Sequence, residues 1–433
     1  MLIPVPTTPK SLEDYRSIVG DAVIDEIVAL AAPLQGMRVL HVNSTAFGGG
    51  VAELLRSLVP LMAGVGLQAD WRLIRSADEF FVVSKAMHNA LQGMSIDWTS
   101  AMRGVWLGYN QMNAQLFDEE YDFVIVHDPQ PAGILAMRQS LDGRRPRGLW
   151  IWRCHIDMTH AQPEVWDFLR PYVEQFDACI FTLKDYVKDD LTGPIVTIIP
   201  PAIDPVSPKN ADLPAETVAT ILERYGIDTS RPFLLQVSRF DPWKDPLGVI
   251  DVYRAIKQEV PEMQLALLAS MAHDDPEGWT WYERVVRHAG EDFDIHILSN
   301  LQGLGNLEVN AFQRRASVVV QKSIREGFGL TVTEALWKER PVVATKVGGI
   351  PLQVISETTG YLADGTDDCI RWIRQLLAHP QIGRRLGQEG REHVRRNFLI
   401  TRYLRDYLQL FQVLLKADPK SRDLITRPAP MFE

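Results

Sequence analysis

A chain of 433 residues is too long for one ordinary hydrophobic core and suits two domains. Its 46% hydrophobic and 23% charged residues are those of a globular protein in water, and a net charge of −10 argues against a nucleic-acid partner, which would call for a basic face. Three widely spaced cysteines, Cys154, Cys179 and Cys369, with no CxxC pair, argue against a disulfide framework or a zinc site and point to a reducing compartment.

No apolar run reaches membrane-spanning length, and the N-terminus MLIPVPTTPKSLEDY lacks the basic and apolar regions of a signal peptide. The expected location is the cytoplasm, with no membrane partner. Short apolar runs alternate with helical patterns, which predicts an α/β protein with parallel sheets and crossover helices. Candidate strands of the first half are Arg38–Val42, Trp71–Ile74, Phe123–Val126, Leu149–Arg153, Cys179–Phe181 and Val196–Ile199. Those of the second half are Phe233–Val237, Leu265–Ala269, Ile295–Leu298, Ser317–Gln321 and Pro341–Ala344. Between the halves, IPPAIDPVSPKN at 199–210 carries four prolines that resist helix and central strand alike, so a hinge is expected there. The expected domains are 1–203, joined by a C-terminal helix within 399–433, and 204–398. In such sheets ligands bind at the carboxyl ends of strands, and two domains facing each other across a cleft would share one site.

The polar clusters follow the predicted strands. After Arg38–Val42 comes NSTAFGGGVAELL, where Gly48, Gly49 and Gly50 permit close backbone approach before a helix beginning at Val51. A dinucleotide fold would want G-x-G-x-x-G, and Glu53 occupies the third glycine position, so a nicotinamide or flavin enzyme is not expected. HDPQP at 127–131 and WRCHIDM at 152–158 place His127, Asp128, Gln130, His155 and Asp157 at strand ends. SRFDPWKDP sets Arg239 and Lys244 five apart on a turn, where two cations can neutralise a diphosphate. In MAHDDPEGW at 271–279 the acidic residues Asp274, Asp275 and Glu277 lack the spacing of an EF-hand loop, and no metal is expected.

The densest signal is SIREGFGLTVTE at 323–334. Glu326 and Glu334 stand eight apart around Gly327-Phe328-Gly329 and a helix start at Thr331. A glycine-bearing loop running into a helix N-terminus offers free N–H groups to phosphate, and flanking carboxylates accept hydrogen bonds from sugar hydroxyls. A structural alternative is a capping box, with Thr331 as N-cap and Glu334 at N3.

With these residues in place the chain resembles the retaining GT-B glycosyltransferases of family 4. FGGGVAELL, HDPQP, WRCHID, VSRFDPWKDP, MAHDDPEGW and REGFGLTVTEA are similar to the trehalose synthases within it, which transfer glucose from a nucleotide sugar to free glucose. The resemblance implies two Rossmann-like domains, an N-terminal acceptor domain and a C-terminal donor domain. It implies that Arg239 and Lys244 bind the donor diphosphate, that Glu326 binds hydroxyls of the donor glucose, and that Glu334 holds the ribose. Gly329, Leu330 and Thr331 would meet phosphates or sugar through backbone amides. His155 would approach the reacting carbon, and Gly49 and Gly50 would lie against phosphate. Asn300 and Leu301 would lie near the base. Asp128, Gln130 and Asp157 are the expected acceptor contacts. The partners implied are a nucleotide glucose and glucose or trehalose, with no further cofactor, and a homodimer is compatible with the unassigned N-terminal segment. Lys244-Asp245-Pro246 replaces the Lys-Gly common in the wider family. A trehalose phosphorylase, a glucosyltransferase with another acceptor, and a non-catalytic sugar-nucleotide sensor are the rival readings.

Overall fold

A computed structural model describes residues 1–47, 49–271 and 277–417. Gly48, Asp274, Asp275 and the expected helical segment beyond 417 lie outside the described residues. Contacts group the chain into two units, one of Met1–Pro201 with the segment from Ile400 onward, the other of Ala202–Leu399.

The first unit contains strands β1 (Ile3–Pro4), β2 (Arg38–Asn43), β3 (Gln68–Leu73), β4 (Phe123–His127), β5 (Leu149–Arg153), β6 (Ala178–Phe181) and β7 (Ile195–Ile198). They form one sheet in the order β1-β3-β2-β4-β5-β6-β7. Neighbours run parallel except β1, which pairs antiparallel with β3 and sets Ile3 opposite Leu73. β1 is absent from the sequence reading because two residues carry no periodicity. β3 begins three residues earlier than expected, since Gln68, Asp70 and Arg72 lie on a half-exposed strand and interrupt the apolar run. The helix Ile400–Lys416 packs in this unit, with Phe411 stacked on Phe123 at 4.1 Å between ring centroids and Gln412 donating to the Leu30 carbonyl at 2.8 Å.

The second unit contains β8 (Phe233–Val237), β9 (Gln264–Ala269), β10 (Ile295–Ser299), β11 (Val318–Gln321), β12 (Val342–Thr345) and β13 (Tyr361–Ala363). Their order is β10-β9-β8-β11-β12-β13, all parallel. The three-residue β13 was also not expected. Strands β4, β6, β8, β9 and β11 are buried along their whole length, which is why each reads as a mainly apolar run, broken only by buried His127, Gln236, Gln264 and Gln321. Strand order reverses between β2 and β4 in one sheet and between β8 and β11 in the other, and ligand sites of such folds open at these switch points. Among the described residues no helix is long and apolar enough to cross a membrane.

Candidate active site

In the second unit, β8 runs into Ser238–Asp245 and its neighbour β11 into Lys322–Gly329. The two loops are stitched together by backbone: the Trp243 carbonyl accepts the Ile324 N–H at 2.7 Å, and Gln236 Nε2 donates to the Lys244 carbonyl at 2.8 Å. That stitching sets Lys244 Nζ 2.6 Å from Glu326 Oε2. Glu326 is 8% exposed, and the same oxygen accepts from Ser323 Oγ at 3.2 Å and Gln321 Nε2 at 3.4 Å. Arg239 belongs to the same loop, with Nη2 3.6 Å from Oδ2 of buried Asp241.

Asp245 takes φ 45°, in the left-handed region that favours glycine, which accounts for Lys-Gly at this place in the wider family. Its carboxylate offsets the strain by capping the helix Pro246–Lys257 through the Gly248 N–H at 3.1 Å and by pairing with Lys322.

The capping box is not formed. The helix spans Leu330–Trp337 and its N-cap is Gly329, whose φ of 90° only glycine adopts readily, so Thr331 is already inside the first turn. Thr331 Oγ1 donates to Gln321 Oε1 at 3.4 Å. Glu334 is 1% exposed and pairs with Lys209 Nζ at 2.9 Å while accepting from Gln313 Nε2 at 3.1 Å. Lys338 Nζ joins this network by donating to Gln313 Oε1 and Asn210 Oδ1, each at 2.8 Å. Lys209 and Gln313 escaped the sequence reading, because a lysine beside a proline-rich turn gives no sign of a carboxylate so far along the chain. Asn300 is fixed against the Met271 backbone by bonds of 2.8 and 3.1 Å, and Leu301 is exposed.

In the first unit the helix Gly50–Gly64 starts one residue before Val51, with Gly49 as N-cap at φ −148°. A Cβ on Gly49 would meet nothing within 4 Å, and any residue adopts that φ, so the turn itself does not demand glycine here. Asp128 sits at φ 63° and shapes the loop after β4: its N–H donates to the Arg153 carbonyl at 2.8 Å, and its Oδ1 accepts the His155 N–H at 2.7 Å. Burial pushes its carboxyl up to about 7. The Gln130 carbonyl accepts from Asn110 Nδ2 at 3.0 Å, and buried Asp157 accepts the Thr159 N–H at 3.0 Å.

His155 ends a chain of imidazoles. His41 Nδ1 is 3.0 Å from His127 Nε2, and His127 Nδ1 is 3.0 Å from His155 Nε2. Desolvation lowers all three, His41 to about 3, and the Arg153 guanidinium further disfavours charge on His127 and His155. The rings run end to end rather than converging, and among the described residues no group of three or more His, Cys, Asp or Glu is placed to hold a metal. His41 was overlooked although a histidine inside an apolar strand run is itself a signal of a buried polar partner.

The strand order of the second sheet matches the dinucleotide-binding order 3-2-1-4-5-6. A largely parallel sheet in each unit, the second in this order, fits the two-domain α/β fold of the GT-B glycosyltransferases. Residues 41–188 match the family described as "Trehalose synthase, N-terminal domain", and residues 218–393 match "Glycosyl transferases group 1". A trehalose synthase from Rubrobacter xylanophilus is 51% identical over 409 residues, covering 94% of this chain and 97% of that one. The chain belongs to the trehalose synthase family. A trehalose phosphorylase from Pleurotus pulmonarius is 26% identical over 434 residues, covering 88% of this chain but 58% of that one. A UDP-forming α,α-trehalose-phosphate synthase from Burkholderia xenovorans, 14% identical, superposes with a TM-score of 0.68 over 88% of this chain and 100% of that one, a likeness of fold.

Proposed function

We infer that this chain makes α,α-trehalose by transferring glucose, with retention of configuration, from a nucleoside-diphosphate glucose to free glucose, in a reversible reaction. The observation that carries the reading is the Lys244–Glu326 bond of 2.6 Å, a cation and a carboxylate preset at the carboxyl ends of β8 and β11, with Arg239 on the same loop as Lys244. Lys244 and Arg239 take the diphosphate and stabilise its leaving charge. Glu326 takes hydroxyls of the donor glucose, and Glu334, with one protein partner on each oxygen, has acceptor capacity left for the ribose. Backbone amides of Gly329, Leu330 and Thr331, at a helix N-terminus, suit phosphate. Gly49 and Gly50 lie against phosphate, Asn300 and Leu301 near the base, and Asp128, Gln130 and Asp157 against the acceptor glucose. His155 meets the transferred sugar.

Glu326 is not assigned as a nucleophile, since it already neutralises Lys244. The departing phosphate takes the proton of the attacking glucose hydroxyl on the face it leaves, the new C–O bond forming as the C–O bond to phosphate breaks. Catalysis then rests on positioning and on charge stabilisation. The same reading has the enzyme act in the cytoplasm, with no metal requirement.

The test is product analysis by NMR with glucose as acceptor and UDP-, ADP- and GDP-glucose in turn. α,α-Trehalose with release of nucleoside diphosphate is expected. No trehalose from any donor, with trehalose cleavage that depends on inorganic phosphate, would replace the synthase reading with a phosphorylase.

A further inference from the structure

We propose that His41 and His127 are positioning residues that hold His155 as a neutral imidazole with its proton on Nδ1, so that His155 offers a hydrogen-bond donor, and neither an acid nor a base, to a hydroxyl of the transferred glucosyl unit. The identity of that hydroxyl's owner rests on the glucosyltransferase reading. The proton arrangement does not.

The three rings come from adjacent parallel strands and the loop that follows them. His41 lies within β2, His127 ends β4, and His155 follows β5, with Asp128 fixing the loop by accepting the His155 N–H at 2.7 Å. Both contacts are nitrogen to nitrogen at 3.0 Å, so each needs one N–H and one lone pair. A neutral imidazole carries a single N–H, and His127 spends both nitrogens. Only two arrangements of protons satisfy the chain, and they point in opposite directions.

The inner end chooses between them. His41 is fully buried, and its Nε2 has no hydrogen-bond partner among the described residues. What packs beside it is the ring of Tyr407 on the helix Ile400–Lys416, at 6.1 Å between centroids, while the Tyr407 hydroxyl faces that of Tyr403 at 3.5 Å. Among buried backbone groups an orphaned N–H is rarer than an under-used acceptor, and we extend that preference to this imidazole. The atom left over is therefore a lone pair. His41 then carries its proton on Nδ1 and donates to His127, His127 carries its proton on Nδ1 and donates to His155 Nε2, and the His155 proton is left on Nδ1.

The surroundings keep the relay uncharged. The charged and titratable groups packed about it are Arg153 at the end of β5, Asp128 after β4, and Tyr403 and Tyr407 on the C-terminal helix. Arg153 is fully buried, and its presence disfavours a second positive charge. Exposure rises along the chain, from His41 at 0% and His127 at 2% to His155, which is partly exposed and so is the member that can reach a substrate. A ring fixed in orientation and tautomer from behind presents its donor with no rearrangement when the sugar arrives.

The experiment uses the full chain labelled with 15N-histidine, and reads the two-bond 1H–15N correlations of its imidazoles. His155 is assigned by the signals lost in His155→Asn. Expected is a His155 ring with pyrrole-type Nδ1 and pyridine-type Nε2, the reverse of the tautomer that free histidine prefers in water. His41→Phe keeps a ring in place but removes the first donor. It should shift the His155 nitrogens toward an averaged tautomer and lower kcat about 10- to 100-fold with a much smaller change in donor KM. His41→Asn, whose amide can replace Nδ1, should recover most of both. A His155 proton on Nε2 in the wild-type spectrum overturns the proposal whether or not the variants fold, and so do an unchanged tautomer and kcat in His41→Phe. If the wild type makes no trehalose while its His155 carries the Nδ1 proton and responds to His41→Phe, the relay stands and the glucosyltransferase reading falls.

Discussion

Lys244 and Glu326, 82 positions apart in the chain, meet through a 2.6 Å bond between Nζ and Oε2. Each is the kind of group a sugar diphosphate requires, and each holds the other in place beforehand. The ammonium has three donors and spends one on Glu326, so two remain for phosphate oxygens. Their orientation is settled before substrate arrives, so little reorganisation is needed at the moment of reaction.

Lys244→Ala should lower kcat/KM by about 100- to 1,000-fold through loss of one charge on the leaving group. It should also cost about 1–3 kcal/mol of stability, because the nearly buried Glu326 loses its 2.6 Å bond to an ammonium. Adding Glu326→Gln should recover much of the stability and none of the activity. Arg239→Ala, at a more exposed side chain, should cost activity on the same scale with little loss of stability. Calorimetry beside the trehalose assay separates the two effects, and near-normal turnover in Lys244→Ala would sink the diphosphate assignment.

Lys209 and Glu334 should prove strongly coupled. Lys209→Met leaves the 1%-exposed carboxylate without its 2.9 Å partner, and Glu334→Gln leaves the lysine without its charge. A double-mutant cycle in guanidinium unfolding should return an interaction of about 1–3 kcal/mol. Simple additivity of the two single changes would show that the pair contributes packing alone.

Stability should fall steeply in mild acid. The unfolded chain takes up protons on histidine below about 6.5, whereas the folded His41, His127 and His155 stay neutral well below that, His41 to about 3. The unfolded state then binds more protons, so stability is lost as pH falls from about 6.5 toward 3. Asp128 acts with the opposite sign: folded, it keeps its proton up to about 7, so it subtracts stability as pH rises from about 4 to 7. Three groups against one leave a net loss of about 3 kcal/mol per pH unit near pH 5, at about 1.4 kcal/mol per group. Melting curves between pH 7.5 and 4.5 should be flatter for His41→Asn and steeper for Asp128→Asn.

Asp245 should rank its substitutions by backbone and cap together. Asp245→Ala loses the 3.1 Å cap on Gly248 and the Lys322 pair, and still has to occupy φ 45°. The cost should be about 2–3 kcal/mol, from a lost N-cap and a left-handed alanine. Asp245→Asn keeps the cap and tolerates the conformation, so thermal melting should place it well above Asp245→Ala.

The apolar runs by themselves determined the strand-and-helix alternation and nearly every strand of the two largely parallel sheets, because a strand buried on both faces is mainly apolar. Motifs such as HDPQP and REGFGLTVTE likewise carried the family, since loop residues at strand ends answer to chemistry more than to packing. The three-residue β13 and two-residue β1 were invisible, being too short to show a period. The helix start at Gly329 in place of Thr331 depended on a backbone dihedral that Thr-x-x-Glu cannot reveal. Only the tertiary structure decided which polar groups face each other: Lys244 with Glu326, Lys209 with Glu334, and His41 with His127 and His155. Those pairings span the chain and are set by strand order and register, which no local pattern of residues encodes.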